Sequence, residues 1–520
     1  MKILFLMDSP EYLRFYDSAI EELAARGHAV SIAVNSSRSR KPIGLEGLQA
    51  YADLVRVLGV VPYEQGIWAG VARGVRATMD FVRFLHPRFA DAHALRARMK
   101  RKVLPRAYSW IDAIPRLSAT AVRVVQRGLA AMEQAIPVPA GVLDFLRAHS
   151  PDVLMVSPLV AAASEQVDWI KGAHRCGIRS AVCIASWDNL TNKGLLRIEP
   201  DRVVVWNEAQ KREAAEYHYI PESKIVVTGA QLFDRWFDRT VTRTREEFCR
   251  RAGLPDARPF LLFTGSSSFI SESRAEVAFV RQWIRAVRAS AEPALREVAV
   301  LVRPHPYNAS AWESDPLADL FGVAVYPRRG YNAADPENRT DFFDSLAHAA
   351  AVVGINTSAM IEAAIVGTPV CSLLAPEFAG TQSGTIHFHH LELENGGCVR
   401  MASTLPEHLA QLGDALTRSD AARQASARFV ASFVRPHGID RAATPILAGG
   451  IEALGSSPSP PPRPAPLWSY LLRPIVLAAA APVPIVDWLR KPPLVSRLRK
   501  RARDWAKVAG KRWQKSMARW

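Results

Sequence analysis

A polar turn followed by an acidic residue occupies residues 354–370, GINTSAMIEAAIVGTPV. Asn356, Thr357 and Ser358 lie between an apolar run and a helical pattern, where the N-cap of a helix belongs. Free backbone N–H groups and the helix dipole at such a position bind anions. Glu362 lies on the same helix face as Ser358. A carboxylate beside a phosphate is repelled unless the carboxylate reaches past the phosphate to another group of the ligand. The pattern therefore predicts a nucleotide diphosphate whose ribose contacts Glu362. Helix capping with a solvent-facing glutamate is the structural alternative.

Two more segments place polar residues directly after apolar strands. LVRPHP supplies Arg303, which is suited to bidentate phosphate binding, and His305, which can donate a hydrogen bond or protonate a leaving phosphate. FTGSSSFI supplies Ser266 as a further donor-site residue. Turns of this kind favour serine and glycine in any protein, so a stiff turn with helix capping is the alternative in both places.

The segment SWDNLTNKG predicts the acceptor side of a site. Trp187 offers a stacking face for a sugar, and Asp188 is a candidate catalytic base. Further polar groups expected to contact the acceptor are Asn189 and Lys193, together with Asp8 and Glu11 after the first strand. The two carboxylates near the N-terminus compete with Asp188 for the role of base, and an Asp-Asn turn can equally be structural.

Nothing in the sequence predicts a metal or a cofactor. The histidines of GTQSGTIHFHHLE (His387, His389, His390) have no carboxylate or cysteine at metal-ligand spacing, so a half-buried strand or a place over the donor is expected. There is no Asp-x-Asp pair of the kind that holds a nucleotide-bound metal. The five cysteines contain no CxxC pair, which indicates reduced thiols rather than a disulfide scaffold.

Strands alternate with helices in two series, which predicts an α/β protein of two doubly wound domains. The expected division is residues 1–237 with a basic helical insertion at 68–132, then residues 238–455, then a Pro-rich linker and basic tail at 456–520. Ligands of such sheets bind at the carboxyl ends of strands, so a cleft between the domains is the expected site.

The formal net charge of +16 is mostly a property of the tail. Residues 456–520 carry 14 Lys and Arg against two Asp, and the most basic part of this segment also contains Trp505, Trp513 and Trp520. This composition predicts an anchor on an anionic membrane surface, with a disordered tail or nucleic-acid binding as alternatives. The apolar run of MKILFLMDSP is too short for a signal peptide, and no run approaches the roughly 20 residues of a membrane span. A cytoplasmic protein, peripheral on the inner face of the cell membrane, is expected.

The motifs above resemble those of known families. Residues 354–370 resemble the donor-site motif of glycosyltransferases with the GT-B fold, and LVRPHP resembles a signature of CDP-glycerol glycerophosphotransferases. Residues 182–370 resemble bacterial surface-carbohydrate biosynthesis proteins. The resemblance implies two Rossmann-like domains, the C-terminal one binding a nucleotide sugar and the N-terminal one the acceptor. It also implies that Thr357 and Ser358 approach the phosphates and Glu362 the ribose, although asparagine and threonine here replace the glycines of other families.

The expected function is metal-independent transfer of a sugar from a nucleotide-sugar donor to a lipid-linked or surface-polysaccharide acceptor in the bacterial cell envelope. A CDP-alditol phosphotransferase and a hydrolysing sugar-nucleotide 2-epimerase are alternatives with the same fold. A non-catalytic, membrane-bound scaffold of glycan assembly is the alternative from another class.

Overall fold

The structure is a computed structural model that describes residues 1–35, 47–63, 66–114, 116–255, 258–329, 335–417 and 420–483. Residues 484–520 of the predicted tail, with Trp505, Trp513 and Trp520, lie outside the described residues, so the predicted membrane role of that segment stays a prediction.

The first domain is built on a seven-stranded parallel sheet with the order β3-β2-β1-β4-β5-β6-β7. Its central strands are apolar on both faces because helices cover both sides of the sheet. The strands are β1 Lys2–Met7, β2 Ala29–Val34, β3 Val55–Val60, β4 Val153–Ser157, β5 Arg179–Cys183, β6 Arg202–Val205 and β7 Ile225–Val227.

The second domain is built on a six-stranded parallel sheet with the order β10-β9-β8-β11-β12-β13. The predicted fold is confirmed: two Rossmann-like, doubly wound domains face each other in the GT-B arrangement. The strands are β8 Phe260–Thr264, β9 Ala299–Arg303, β10 Val323–Val325, β11 Ala351–Gly354, β12 Val370–Leu373 and β13 Val399–Ala402.

The α-helices of the described residues are numbered in chain order. They are α1 Asp17–Ala25, α2 Ile67–Val82, α3 His93–Lys102, α4 Ala119–Ala135, α5 Ala140–His149, α6 Gln166–Cys176, α7 Asn189–Asn192, α8 Glu208–His218, α9 Asp234–Phe237, α10 Arg245–Ala252, α11 Ser273–Arg288, α12 Pro293–Glu297, α13 Pro336–His348, α14 Ala359–Val366, α15 Leu405–Leu416, α16 Asp420–Phe429, α17 Ala443–Ser456 and α18 Leu467–Ala480.

The basic insertion is a set of helices held to the first domain by buried ion pairs. Arg76 on α2 is fully buried, and its guanidinium donates to Glu133 on α4 at 2.9 Å and to Asp168 on α6 at 2.6 Å. Breaking such a pair leaves an uncompensated buried charge, so the network fixes α2 firmly against its neighbours. Helix α18 packs on the outer side of α2 and α4.

The chain returns to the first domain after it completes the second. Leu447, Ala448 and Ile451 of α17 pack into the core formed by β1, β2 and α1. The predicted division at residues 237 and 238 lies between β7 and β8. In the described part of the chain no single helix is long and apolar enough to cross a membrane. One bent pair, α4 with α5 at 73°, reaches that length and composition.

Candidate active site

The register of the second sheet brings three polar loops to one edge. Thr264 of β8 pairs with Arg303 of β9 on one side and with Gly354 of β11 on the other. These strands straddle the point where the strand order reverses, which is where doubly wound sheets bind ligands. The loops that follow them therefore meet around one cavity of about 420 Å³: 265–267, 304–306 and 355–358.

Both domains line this cavity, and its charge is strongly positive. Among the described residues, six arginines border it against three carboxyl groups, Asp17, Asp188 and Glu362. Asp17 is occupied by Arg235, whose Nη1 lies 3.0 Å from its Oδ2. The excess of guanidinium groups gives the cavity a positive potential that favours anionic ligands. The arginines are Arg14, Arg98, Arg235, Arg239, Arg303 and Arg339.

Arg303, the last residue of β9, and His305, in the loop that follows, both line the cavity. Arg303 is 2% exposed, and its Nη1 donates to the carbonyl of Asp341 at 3.3 Å. The Nδ1 atom of His305 accepts a hydrogen bond from the backbone N–H of Tyr307 at 3.2 Å, so the neutral ring carries its proton on Nε2. Burial, and then the charge of Arg14, lower the pKa of His305 to about 4. Of the two roles that the sequence left open, this favours a hydrogen-bond donor over an acid.

Gly265 is required for the close approach of two of these loops. A Cβ atom there would lie 2.7 Å from the backbone nitrogen of His305. The N–H of Gly265 instead donates to the carbonyl of Arg303 at 2.8 Å, which joins the loops after β8 and β9. Any side chain at this position must push the RPHP loop away from the cavity.

Helix α14 begins where the polar turn predicted it. Ser358 is its N-cap residue, and Thr357 accepts from the N–H of Ala359 at 3.4 Å. Asn356 also lines the cavity, but it is 4% exposed and its amide nitrogen donates to the carbonyl of Thr381 at 2.9 Å. Asn356 therefore anchors the segment around residues 381–387, while the turn at Thr357 and Ser358 supplies the helix N-terminus.

Glu362 lines the cavity one turn into α14. Burial raises its pKa to about 8, and the charges of Arg14 and Arg239 oppose that rise. The carboxyl group is therefore mostly protonated at neutral pH. In that state it adds no negative charge beside a bound phosphate, and it can both donate and accept a hydrogen bond.

Asp188 faces the cavity from the first domain. Burial acts to raise its pKa, but Lys193, His387 and hydrogen bonds from neighbouring groups hold that pKa at about 2. Asn192 donates one of these bonds to Oδ2 at 3.0 Å, and Asn189 donates to Oδ1 at 3.2 Å. Asp188 is therefore an oriented, ionised carboxylate and a weak base.

The insertion holds the loop that carries Asp188. The guanidinium of Arg83, buried just after α2, donates at 2.8 Å to the carbonyls of both Gly194 and Leu190. Asp80, one turn earlier, accepts from the N–H of Leu195 at 2.8 Å and pairs with Arg197. These residues lie about 110 positions from the loop they hold, so no local pattern reveals their role.

Trp187 joins the two domains instead of standing exposed at the cleft edge. Trp187 is 4% exposed, and its Nε1 donates to Ser358 Oγ at 3.1 Å. Its ring and that of His387 make an edge-to-face contact with their centroids 4.8 Å apart. The second domain covers most of the indole, although Trp187 still lines the cavity, so its predicted contact with the acceptor stays a prediction. His387 belongs to a 3₁₀ helix, Ile386–His390, rather than to a strand, and it too lines the cavity.

Several predicted residues lie outside the cavity lining. Ser266 is fully buried with its N–H on Glu276 at 2.7 Å, and the neighbouring Ser267 lines the cavity instead. Asn189 is buried behind Asp188. Lys193 lies 3.4 Å from the hydroxyl of Tyr12, so it acts on the cavity through its charge. Asp8 and Glu11 are also not part of the lining, although both interact with other groups of the protein.

Sequence reasoning missed most of the cationic lining. Arg14 lies on the 3₁₀ helix Pro10–Phe15, Arg98 on the insertion helix α3, and Arg239 after α9. Their positions depend on how distant elements pack. The high arginine content of the insertion was a signal for Arg98, but it says nothing about Arg14 or Arg239, which lie outside the insertion. Within the described residues, no cluster of three or more His, Cys, Asp or Glu side chains is placed to hold a metal ion.

Comparisons with known proteins find similarity of fold. No protein-family model matches the chain, and no curated protein matches it. Among solved structures, UDP-GlcNAc 2-epimerase from Methanocaldococcus jannaschii aligns over 86% of this chain and 98% of its own at 12% identity, with a TM-score of 0.47. A glycosyltransferase from Rickettsia africae ESF-5 aligns over 88% and 99% at 11% identity, with a TM-score of 0.48. A putative UDP-N-acetylglucosamine 2-epimerase from Listeria monocytogenes aligns over 88% and 98% at 12% identity, with a TM-score of 0.48. At these values the likeness concerns the fold alone.

Proposed function

We propose that this protein is a metal-independent glycosyltransferase that moves a sugar from a nucleotide sugar to a lipid-linked or surface-polysaccharide acceptor of the bacterial cell envelope. The observation that carries the proposal is the convergence of the α14 N-terminus, Arg303 and Glu362 in one arginine-rich cavity between two domains. A nucleoside diphosphate fits this chemistry, because it offers two phosphates to the cations and a ribose to the carboxyl group.

The donor binds with its diphosphate at the N-terminus of α14. The positive end of the α14 dipole and the charge of Arg303 stabilise the negative charge that develops as the diphosphate leaves. The neutral His305 adds an Nε2–H group that donates a hydrogen bond but does not act as an acid. Glu362, in its protonated form, takes the ribose hydroxyls without repelling the phosphates. The role of the metal ion in other sugar transferases falls to the arginines.

The acceptor hydroxyl approaches from the side of the first domain. Its oxygen forms the bond to the anomeric carbon, the bond from that carbon to the phosphate oxygen breaks, and the hydroxyl proton passes to Asp188. A base with a pKa of about 2 takes this proton late, when the new bond has made the hydroxyl strongly acidic. Asn189 and Asn192 hold the carboxylate in place for that step.

Association with the inner face of the membrane is supported by the outward face of α18. Leu467, Leu471 and Ile475 recur at four-residue intervals and are 85%, 78% and 60% exposed, with Trp468 beside them at 46%. The sequence after this helix, residues 484–520, carries 12 Lys and Arg against two Asp. An apolar helix face continued by a cationic segment matches the acyl and headgroup layers of an anionic membrane.

Vesicle sedimentation tests this part of the proposal. We expect the full chain to bind vesicles that contain phosphatidylglycerol, and the double variant Leu471→Gln/Ile475→Gln to bind them at least threefold more weakly. The same substitution type at Val241, an exposed apolar residue of the second domain, is the matched control. Equal binding of all three proteins would mean that α18 does not contact the membrane, so that any contact is made by the basic tail.

The function itself is tested by sugar transfer. Purified protein is incubated with radiolabelled nucleotide sugars and an envelope lipid and glycan extract, with and without EDTA, and label in the extract is counted. We expect one donor to transfer label regardless of EDTA, and Arg303→Met to abolish the transfer. Transfer from a CDP-alditol would move the assignment to alditol-phosphate transfer. Epimerised sugar without transfer would indicate a sugar-nucleotide epimerase, and a folded protein with no turnover would indicate the scaffold.

A further inference from the structure

The cavity has a second cationic end, formed by the insertion helix α3. Arg98 reaches from α3 to the other domain, where its guanidinium lies 3.9 Å from the ring centroid of Phe269. Its Nη1 donates to Asn192 Oδ1 at 2.6 Å, and Asn192 in turn holds Asp188. Arg98 is therefore fixed beside the carboxylate that faces the acceptor.

Arg98 acts electrostatically on a different set of groups from the arginines of the α14 end. The charges of Arg14 and Arg239 act on Glu362, and that of Arg14 also on His305. The charge of Arg98 acts instead on Asp188 and on His387. The arginines therefore form two cationic groups around one cavity. The group at Arg98 is the one next to the carboxylate of Asp188.

Helix α3 has one face whose two cations share a carboxylate and another whose cations have no ion pair among the described residues. On the first face, Arg96 and Lys100 both pair with Asp112. On the opposite face, Arg98 and Lys102 are four residues apart, and the charge of Arg98 is the largest cause that lowers the pKa of Lys102. Mutual repulsion of this kind is relieved when an anion binds between the cations.

We infer that Arg98 binds an anionic group that the acceptor carries near its reacting hydroxyl. A phosphate or carboxylate suits the planar guanidinium, which binds such oxygens through paired N–H donors. The stacking of Arg98 on Phe269 and its bond to Asn192 hold the guanidinium in one orientation. The inference rests on the proposed function in calling this ligand the acceptor, and it names the acceptor class as an anionic glycan or glycolipid.

Inorganic phosphate is the probe that tests this subsite. Its affinity is measured by calorimetry on the full chain, first alone and then with saturating UDP. We expect phosphate to bind together with UDP, and Arg98→Gln to weaken phosphate binding at least tenfold while the Kd for UDP changes less than twofold. Lys100→Gln, on the face of the same helix that pairs with Asp112, is the matched control and should leave both affinities unchanged.

Two results would overturn the inference. One is phosphate affinity that Arg98→Gln leaves unaltered. The other is loss of UDP binding in parallel with phosphate, which would make Arg98 a donor ligand. Equal melting temperatures establish that the variants are folded, and Arg98→Lys should retain part of the phosphate affinity. If UDP fails to bind the native protein, the proposed function is in question, while the phosphate titration of the nucleotide-free protein still decides the role of Arg98.

Discussion

Replacement of Glu276 by glutamine probes the support beneath the proposed donor site. Glu276 lies in the first turn of α11, is fully buried, and accepts the backbone N–H of Ser266 at 2.7 Å. Burial raises its pKa to about 8, and the hydrogen bond from Ser266 opposes that rise. The neutral form thus pins the loop 265–267 while keeping a negative charge away from a bound diphosphate. Glutamine preserves the acceptor oxygen and cannot ionise.

The sign of the effect follows from proton linkage. Between the ordinary pKa of 4.5 and about 8, the unfolded chain has lost the proton of Glu276 while the folded chain retains it. The native protein therefore loses stability as the pH rises through this window, by at most about 1.4 kcal/mol per pH unit. Over the whole window the loss is bounded at about 5 kcal/mol. Glu276→Gln escapes this loss, so its advantage over the native protein should grow from pH 5 to pH 8 and level off above.

Urea denaturation at half-unit pH intervals, followed by tryptophan fluorescence, measures this difference. Glu313→Gln, a substitution at an exposed glutamate of the same domain, is the control and should run parallel to the native protein. A constant difference between Glu276→Gln and the native protein across pH would refute the reasoning. So would a native protein that gains relative stability with rising pH, since Glu276 would then be ionised in the folded state.

Three further outcomes follow from the site. Affinity for a nucleoside diphosphate should fall by up to about tenfold between pH 8 and pH 9 as Glu362 ionises. Titrations of Glu362→Gln should show no such fall. A rise of the affinity with pH would mean that the ionised carboxylate binds the ribose. Gly265→Ala should weaken the same affinity at least tenfold by displacing the RPHP loop, whereas alanine at Gly253, where a Cβ meets nothing within 4 Å, should cost stability only, through its positive φ. Arg83→Met should cost about 3 kcal/mol in urea denaturation and most of the transferase activity, because it releases the loop that carries Asp188; native-like turnover would contradict that support.

The sequence predicted those parts of the site that follow strands directly. The carboxyl ends of parallel strands meet at one edge, so LVRPHP and the turn before α14 had to converge once the two sheets were recognised. The Rossmann-like pairing of the domains was predictable for the same reason. Ser266 shows the limit of this approach, since the turn after β8 rotates it inward and presents Ser267 to the cavity.

Features that depend on long-range packing were not predictable. Asp80 and Arg83 lie in what the sequence presents as a basic helical insertion, and only the structure shows that they hold the SWDNLTNKG loop. The sequence around Trp187 suggests a residue that stacks on a sugar, but the second domain buries Trp187 against Ser358. Arg98 belongs to a run of basic residues whose spacing says nothing about which of them reaches the cavity.

Calorimetric titration of nucleotides tests the donor site most directly. UDP, GDP, CDP and the corresponding monophosphates are titrated into the native protein and into Arg303→Met, with and without EDTA. We expect micromolar binding of one diphosphate, at least tenfold weaker binding of its monophosphate, no effect of EDTA, and loss of that preference in Arg303→Met. Folded protein that binds no nucleotide, or that binds diphosphate and monophosphate equally, would contradict this expectation.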